Sequence, residues 1–415
     1  MPTLRYYKTM HKIRQEKLKK NGKKLFWIKA LMNVKMVNIV MSLFYVHRGL
    51  ELNEIFYLSM IWAITSFITE VPSSYLADHL GRKKTMMLGI VSNLMYWVFF
   101  FFADSFFLFA IAMVWYAMSF AMISGTDEAL LYDSEKELEQ TDTTLQKLGT
   151  YAAANNVFKI FASIIGVVIA KNLIEGQFQI LIGIDVVATL IALGIGLTLI
   201  EARHKMDVEE IESGVMFDAF NLIRKSPIIM RAMMSKVIIF TASLTLFHYY
   251  QVFFTDTGLP LLILGIGFAL MHTAAAIFKH FIAKHVPPKY LNMAIDGINI
   301  LTVLLLICFV IVWVIWPNPY MLYAIFLVYV FLTVARNPLY AEFFHKKSKS
   351  YNRATTMSLV NFLKNIFDIP ILFIAGILIT YNIIAPYIFA IVLGLLVITF
   401  SRLSYKHTSS INKNI

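Results

Sequence analysis

Apolar residues along this chain come in runs of about twenty, the length a helix needs to cross a bilayer, with short polar breaks between them. Twelve such runs are predicted. In the first half they lie near 26–46, 54–76, 86–103, 106–128, 147–170 and 178–200. In the second half they lie near 228–252, 258–283, 290–315, 320–344, 354–380 and 384–402. The longest polar stretch, EARHKMDVEEIESGVMFDAFNLIRKSP at 201–227, separates the sixth run from the seventh and reads as a linker. The pattern predicts an all-α membrane protein with twelve transmembrane helices in two six-helix bundles. A basic segment (1–25) precedes the first bundle (26–200), and the linker leads to the second bundle (228–402) and a short tail (403–415).

The polar breaks alternate in charge. Arg82, Lys83 and Lys84, then Lys136 and Lys147, then Arg203, Lys205, Arg224 and Lys225, then Lys284 and Lys289, then Lys346, Lys347, Lys349 and Arg353 fall in one set of loops. The other set holds little beyond Arg48 and Lys171. Cytoplasmic loops carry the excess of Lys and Arg, so the basic loops and both termini are expected in the cytoplasm, in a multi-pass protein of the cell membrane.

Composition agrees. Of 415 residues, 59% are hydrophobic and 15% charged, whereas soluble domains average about 45–50% apolar and about 25% charged. Disorder needs the reverse balance. One cysteine, Cys308, excludes an internal disulfide framework. Most Lys and Arg lie outside the apolar runs, where topology explains the net charge of +12 better than nucleic acid does. The N-terminus has no apolar core with a small-residue cleavage site, so no secretory signal is expected there.

The halves echo one another. Ala77-Asp78-His79-Leu80-Gly81-Arg82-Lys83 follows span 2, and Ala283-Lys284-His285-Val286-Pro287-Pro288-Lys289 follows span 8, with positions 77 and 283 lying 206 apart. Asn156-Val157-Phe158-Lys159 in span 5 and Asn361-Phe362-Leu363-Lys364 in span 11 begin 205 apart. Parallel repeats of this kind put a substrate path near mid-membrane.

The stretch Ser74-Tyr75-Leu76-Ala77-Asp78-His79-Leu80-Gly81-Arg82-Lys83-Lys84-Thr85-Met86 resembles G-x-L-A-D-R-x-G-R-K-x-x-L, the signature of the major facilitator superfamily. Ser74 replaces its first Gly and His79 its Arg or Lys. Read as residues alone, Gly81 permits a tight reversal, and Asp78 can pair with Arg82 or face a helix N-terminus. The resemblance implies a cytoplasmic latch of Asp78, Gly81, Arg82 and Lys83 that helps hold that side shut. The alternative is a topogenic basic loop with an incidental ion pair. Ser124-Gly125-Thr126-Asp127-Glu128-Ala129-Leu130-Leu131-Tyr132-Asp133-Ser134, with Glu70-Val71-Pro72, is similar to a bacterial subgroup of mostly unassigned substrate. Its acids, placed at the end of span 4, oppose the helix dipole there, so Asp127, Glu128 and Asp133 are expected to have basic partners.

Polar side chains recur at helical spacing on four spans: Lys35, Asn38, Ser42 and Tyr45; Tyr116, Ser119 and Asp127; Thr241, Thr245, His248 and Tyr249; Tyr329, Thr333, Arg336, Asn337 and Tyr340. In the facilitator fold spans 1, 4, 7 and 10 surround the central cavity, which makes Lys35, Asn38, Ser42, Tyr116, Ser119, Thr245, His248, Tyr329, Thr333 and Arg336 its expected lining. Charges inside a membrane cost about 2.5–3.5 kcal/mol each on insertion scales, so they face a cavity or a partner. Lys35 and Arg336 suit an anionic or zwitterionic substrate, and Glu70 and Asp368 are candidates for exchanging protons. Buried ion pairs are the other reading: Lys35 with Glu70 on adjacent spans, and Lys364 with Asp368 at i,i+4. Asp185 is placed nearer the outside. Lys159 reads as structural, and His272 as a packed polar residue.

An enzyme is not expected. There is no H-E-x-x-H and no G-x-x-x-x-G-K-[ST], and His280 and His285 are badly spaced for one metal. No cofactor is expected. The sequence therefore predicts a monomeric secondary transporter of a small molecule, working by alternating access and coupled to protons. Export, as multidrug or metabolite efflux, is the first reading. Uptake of a nutrient or metabolite, anionic ones included, by symport is the second.

Overall fold

The computed structural model describes residues 2–139, 144–156, 158–202, 226–285, 287–347 and 353–404. The predicted linker (from 203 to 225) and the tail beyond 404 lie outside the described residues, as do Val157 and Val286 of the two echoes. The described chain is helical, with no β-strand: α1 (Pro2–Lys19), α2 (Asn21–Met32), α3 (Met41–His47), α4 (Leu52–Leu80), α5 (Arg82–Phe102), α6 (Phe106–Ile123), α7 (Thr126–Glu137), α8 (Thr144–Ala153) and α9 (Lys159–Ile169). There follow α10 (Glu175–Leu197), α11 (Pro227–Phe247), α12 (Tyr250–Asp256), α13 (Leu261–His285), α14 (Leu291–Ile315), α15 (Pro319–Ala335), α16 (Asn337–Lys347), α17 (Arg353–Tyr381) and α18 (Ala385–Phe400). Ten stretches among the described residues are long and apolar enough to cross a membrane, and α18 is a shorter apolar helix. That is consistent with the twelve expected spans. The fifth, broken between α8 and α9 by a 3-10 turn at Ala154–Asn156, has no single helix of spanning length.

The spans predicted as single helices at 1, 4, 7 and 10 are each interrupted. In span 1, α2 ends at Met32, Lys35 takes a left-handed conformation (φ 45°, ψ 54°), and a 3-10 segment, Met36–Val40, leads into α3. In span 4, Gly125 (φ 81°) separates α6 from α7. In span 7 the chain kinks at His248–Tyr249 between α11 and α12. In span 10, α15 stops at Ala335 and α16 starts at Asn337. Pro338 has no N–H to give the carbonyl four residues back, which breaks the ladder there.

These interruptions repeat. The seven-residue helices α3 and α12 start after Val40 (φ −128°, ψ 16°) and Tyr249 (φ −134°, ψ 4°). Both end in the same cap. Gly49 N–H bonds Val46 O at 2.9 Å and Leu50 N–H bonds Tyr45 O at 3.0 Å; Gly258 bonds Thr255 O and Leu259 bonds Phe254 O, each at 3.0 Å. Both glycines have φ 85°, where a side chain is disfavoured. Positions 49 and 258 lie 209 apart, close to the 205 and 206 of the sequence echoes.

The chain forms two compact units, one of Met1–Leu50 with Ile61–Asp207 and one of Glu51–Met60 with Val208–Ile415. In the first, Leu18, Leu25, Ile28, Met86, Ile90 and Leu130 are part of the buried core. In the second, Ile229, Met233, Leu291, Ile295, Tyr340 and Phe343 are part of the equivalent cluster. Residues 51–60 belong to the second by packing. Phe56 lies edge-on to His248 (5.5 Å), Tyr57 lies near Phe373 (6.1 Å), and a Cβ at Gly376 would meet Tyr57 at 2.8 Å.

Candidate functional site

The basic turn between α4 and α5 is built differently from its expected pairing. Gly81 has φ 96°, and a Cβ there would meet the Glu201 carboxylate at 3.1 Å. That carboxylate accepts the Arg82 N–H and the Lys83 N–H, both at 2.9 Å, and so caps the start of α5. The Arg82 guanidinium pairs with Asp133 and donates to Ala129 O at 2.6 Å. Lys83 Nζ donates to Leu197 O at 3.2 Å. Asp78 is exposed and has no hydrogen bond or ion pair among the described residues. The expected Asp78–Arg82 pair is therefore replaced by Arg82–Asp133, and the expected capping role of Asp78 is taken by Glu201.

Asp133 belongs to α7, whose five acids are served by four cations from four other elements, Asp127 and Glu128 sharing one. Lys29 of α2 reaches Asp127 at 3.1 Å and Glu128 at 3.6 Å. Lys147 of α8 reaches Glu135 at 2.5 Å. Arg14 of α1 grips both oxygens of Glu137, at 2.7 and 3.0 Å, and donates to Glu201 O at 2.9 Å. Tyr151 OH donates to Asp127, and Lys29 stands 4.0 Å above the Tyr151 ring. The expectation of basic partners for Asp127, Glu128 and Asp133 is met. The expected clash with the helix dipole is not. Because Gly125 restarts the helix, Asp127 and Glu128 sit in the first turn of α7, where negative charge is favourable.

At the interruption of span 1, Lys35 Nζ donates to Tyr116 OH at 2.6 Å, with Tyr116 itself against Tyr96 (4.8 Å) and Trp62 (6.3 Å). Glu70 is not its partner. Asp185, midway along α10, accepts Met36 N–H at 2.8 Å and Val37 N–H at 3.2 Å. It thus satisfies the open end of the 3-10 segment and lies within electrostatic reach of Lys35. Asp185 therefore sits at the level of Lys35, not nearer the outside as expected. Ser42 and Ser119 are buried, and Asn38 is exposed.

In the second unit the interruption of span 10 holds Arg336, which is 0% exposed. Its guanidinium donates to Lys236 O at 2.9 Å, and to Ser235 O and Asn299 Oδ1 at 3.3 Å. Tyr340 lies under it, with the guanidinium carbon 5.6 Å from the ring centroid. Tyr340 OH and Ser235 Oγ share a hydrogen bond of 2.6 Å, and Asn299 Nδ2 donates to both, at 3.1 and 2.9 Å. Among the described residues no carboxylate is within ion-pair distance of Arg336, and its Nε has no hydrogen-bond partner. Asp296 is occupied elsewhere, accepting Leu403 N–H and Ser404 N–H. Beside Arg336 stands a second cation, Lys236, over the Phe344 ring at 5.8 Å. Lys236, Ser235 and Asn299 were not singled out by sequence. They lie on other helices, and no spacing signal links them to position 336.

Of the remaining candidates, Tyr329 OH donates to Ser243 Oγ at 2.9 Å, and Thr333 Oγ1 receives Ser243 Oγ at 3.4 Å. Thr245 turns back to Ala242 O at 2.7 Å. His248 Nδ1 meets Ser59 Oγ at 3.2 Å. Asp368 is buried, paired with Lys364 and accepting Thr241 Oγ1 at 2.5 Å, as the i,i+4 spacing suggested. The Glu70 carboxylate is half-buried, with no ion pair among the described residues. His272 packs edge-on to Phe268 at 5.8 Å. Among the described residues no three His, Cys, Asp or Glu side chains gather as a metal site.

Compared with known proteins, residues 30–370 match the family model described as Major Facilitator Superfamily. No curated protein matches the sequence. Among solved structures, the chain is similar to a bacterial homolog of the human lysosomal transporter Spinster, in an inward-facing, unoccupied conformation. The TM-score is 0.71 and the identity 14%, covering 93% of this chain and 96% of that one. It is also similar to the nucleoside transporter NupG (TM-score 0.69, identity 13%, 92% of this chain and 97% of that one). A third similar structure is a D-xylose–proton symporter (TM-score 0.68, identity 12%, 94% of this chain and 97% of that one). At these identities the likeness is one of fold.

Proposed function

We propose a function from one premise: the chain belongs to the Major Facilitator Superfamily. It is a multi-pass membrane transporter and not an enzyme. Our reading is that it is a monomeric secondary active transporter of the cell membrane, with both termini cytoplasmic and the linker at 201–227 between two six-helix halves. It works by alternating access. Its substrate is a small organic molecule with an anionic group.

The observation that carries this substrate class is Arg336. A guanidinium fully buried without a carboxylate is costly, since removing charge from water is repaid only by a good counter-charge. Elsewhere in this chain Arg14, Arg48, Arg82, Lys29 and Lys364 all have one. Among the described residues Arg336 has carbonyls, an amide and an aromatic ring around it, a second cation beside it, and no acceptor for its Nε–H. An anion on the substrate would supply the missing charge. Lys35, on the interrupted helix of the first unit, offers a second cation held by Tyr116.

Glu70 is the proton-exchanging residue we favour over Asp368. A carboxylate already bound by Lys364 and Thr241 must break that pair to take a proton, whereas Glu70 has no ion pair to break among the described residues. Asp78, likewise without a partner among the described residues, is the moving half of the latch, and the Glu201–Arg82–Asp133 lattice is its fixed half. Export driven by proton entry is the direction proposed. Uptake by symport is the second reading, favoured by the hydrogen-bonded surround of Arg336, which suits one defined anion better than many compounds.

The test is expression in a strain lacking its own exporters, challenged with a panel of organic anions and neutral compounds, with and without a protonophore. Export predicts reduced accumulation of anions that the protonophore abolishes and that Arg336→Gln weakens more than it weakens any neutral compound. Increased accumulation with the same dependence selects uptake. Equal loss for charged and neutral compounds overturns the anionic site.

A further inference from the structure

On the wall of the first unit, α2 and α10 leave a groove of about 740 Å3 that the transport reading does not use. Lys20, Lys23, Lys24 and Trp27 fall three and four residues apart, on one face at the start of span 1, and form one side of it. Ile191, Gly194 and Ile195 form its floor. Lys24 Nζ is spent on Thr198 O, at 2.6 Å, where α10 ends and its dipole is negative. Lys20 and Lys23 are exposed and have no ion pair among the described residues. Lys17 and Lys83 stand within electrostatic range of Lys24, which deepens the positive patch. The carboxylate of Glu201 does not neutralise it, being turned onto the Arg82 and Lys83 N–H groups.

The groove thus has a cationic mouth and an apolar length. Trp27, 50% exposed, marks the boundary between the two, the level at which Trp sits in a bilayer interface. Gly194 keeps the floor open, since a Cβ there would meet nothing within 4 Å. A free phosphate would use the mouth alone. A molecule with an anionic head and a hydrocarbon tail uses both parts, and basic recesses between helices at the positively charged end of a membrane protein recognise such lipids. We propose that this groove binds an anionic glycerophospholipid, with its phosphate between Lys20 and Lys23 and one acyl chain along Ile191 and Ile195.

Native mass spectrometry of the protein taken from mixed phosphatidylcholine–phosphatidylglycerol vesicles tests this. The full-length protein is expected to retain phosphatidylglycerol in preference to phosphatidylcholine. Joint Lys20→Gln, Lys23→Gln and Lys24→Gln replacement should lower that retention about tenfold or more, at roughly fivefold per lysine facing the lipid. Gly194→Phe, which fills the floor without touching a charge, should lower it too and serves if the triple variant fails to fold. Lys346→Gln, at a lysine already held by Glu342 at 2.8 Å, should leave it unchanged. Inorganic phosphate should not displace the lipid. Equal retention of the two lipids, retention unaffected by both the triple variant and Gly194→Phe, or displacement by phosphate would each overturn the proposal.

Discussion

Asp78 and Arg82 are four residues apart in a motif that reads as a pair, yet the guanidinium turns to Asp133 and leaves Asp78 in the open. The two residues should therefore fail in different ways. Arg82→Gln removes the guanidinium that pairs with Asp133, whose side chain is 8% exposed. It should cost about 3 kcal/mol, read as a lowered thermal unfolding midpoint of the detergent-purified protein. Asp78→Asn removes no hydrogen bond or ion pair found among the described residues and should shift stability by less than about 0.5 kcal/mol while transport falls. A loss of transport traced entirely to unfolding of Asp78→Asn would remove the latch. Sequence showed which residue types matter in this turn, because Gly81 and the basic run are local. It could not show that Glu201, more than a hundred positions away, closes the end of α5. Asp185 was hidden for the same reason, because a lone acid in an apolar run does not announce the two backbone N–H groups it satisfies.

At the scale of elements, the spans were legible because apolar length is a one-dimensional signal. The interruptions were not, since each depends on a single residue. Gly125 turns what reads as one helix into two, and by doing so moves Asp127 and Glu128 from an unfavourable end to a favourable one. Gly125→Ala should destabilise the first unit by about 1–2 kcal/mol, because a Cβ is disfavoured at φ 81°. The matched caps of α3 and α12 make a paired prediction. Gly49→Ala and Gly258→Ala, both at φ 85° with open space around the new methyl, should each cost about 1–2 kcal/mol and agree within about 0.5 kcal/mol. Thermal unfolding of the two single variants checks it, and a large disparity would mean that the shared geometry hides different surroundings.

For the whole molecule, duplication was visible in two short echoes, and the helix caps 209 residues apart give it structural form. The halves have diverged in their charges. The first pairs its acids and bases through α7, while among the described residues the second buries Arg336 beside Lys236 with no acid in ion-pair reach. That asymmetry motivates an anionic substrate, and Glu70, with no ion pair among the described residues, motivates proton exchange. Arg336→Gln should weaken binding of anions about tenfold or more, as expected for loss of a buried charge-assisted contact of about 1.5–3 kcal/mol, with neutral compounds unaffected. The most direct test records internal pH in proteoliposomes carrying the purified protein while a panel of organic anions is added outside. A saturable pH change is expected with at least one anion, lost in Glu70→Gln and shifted to higher anion concentration in Arg336→Gln. Saturable anion transport with no pH change, or a pH change that survives Glu70→Gln intact, would contradict it.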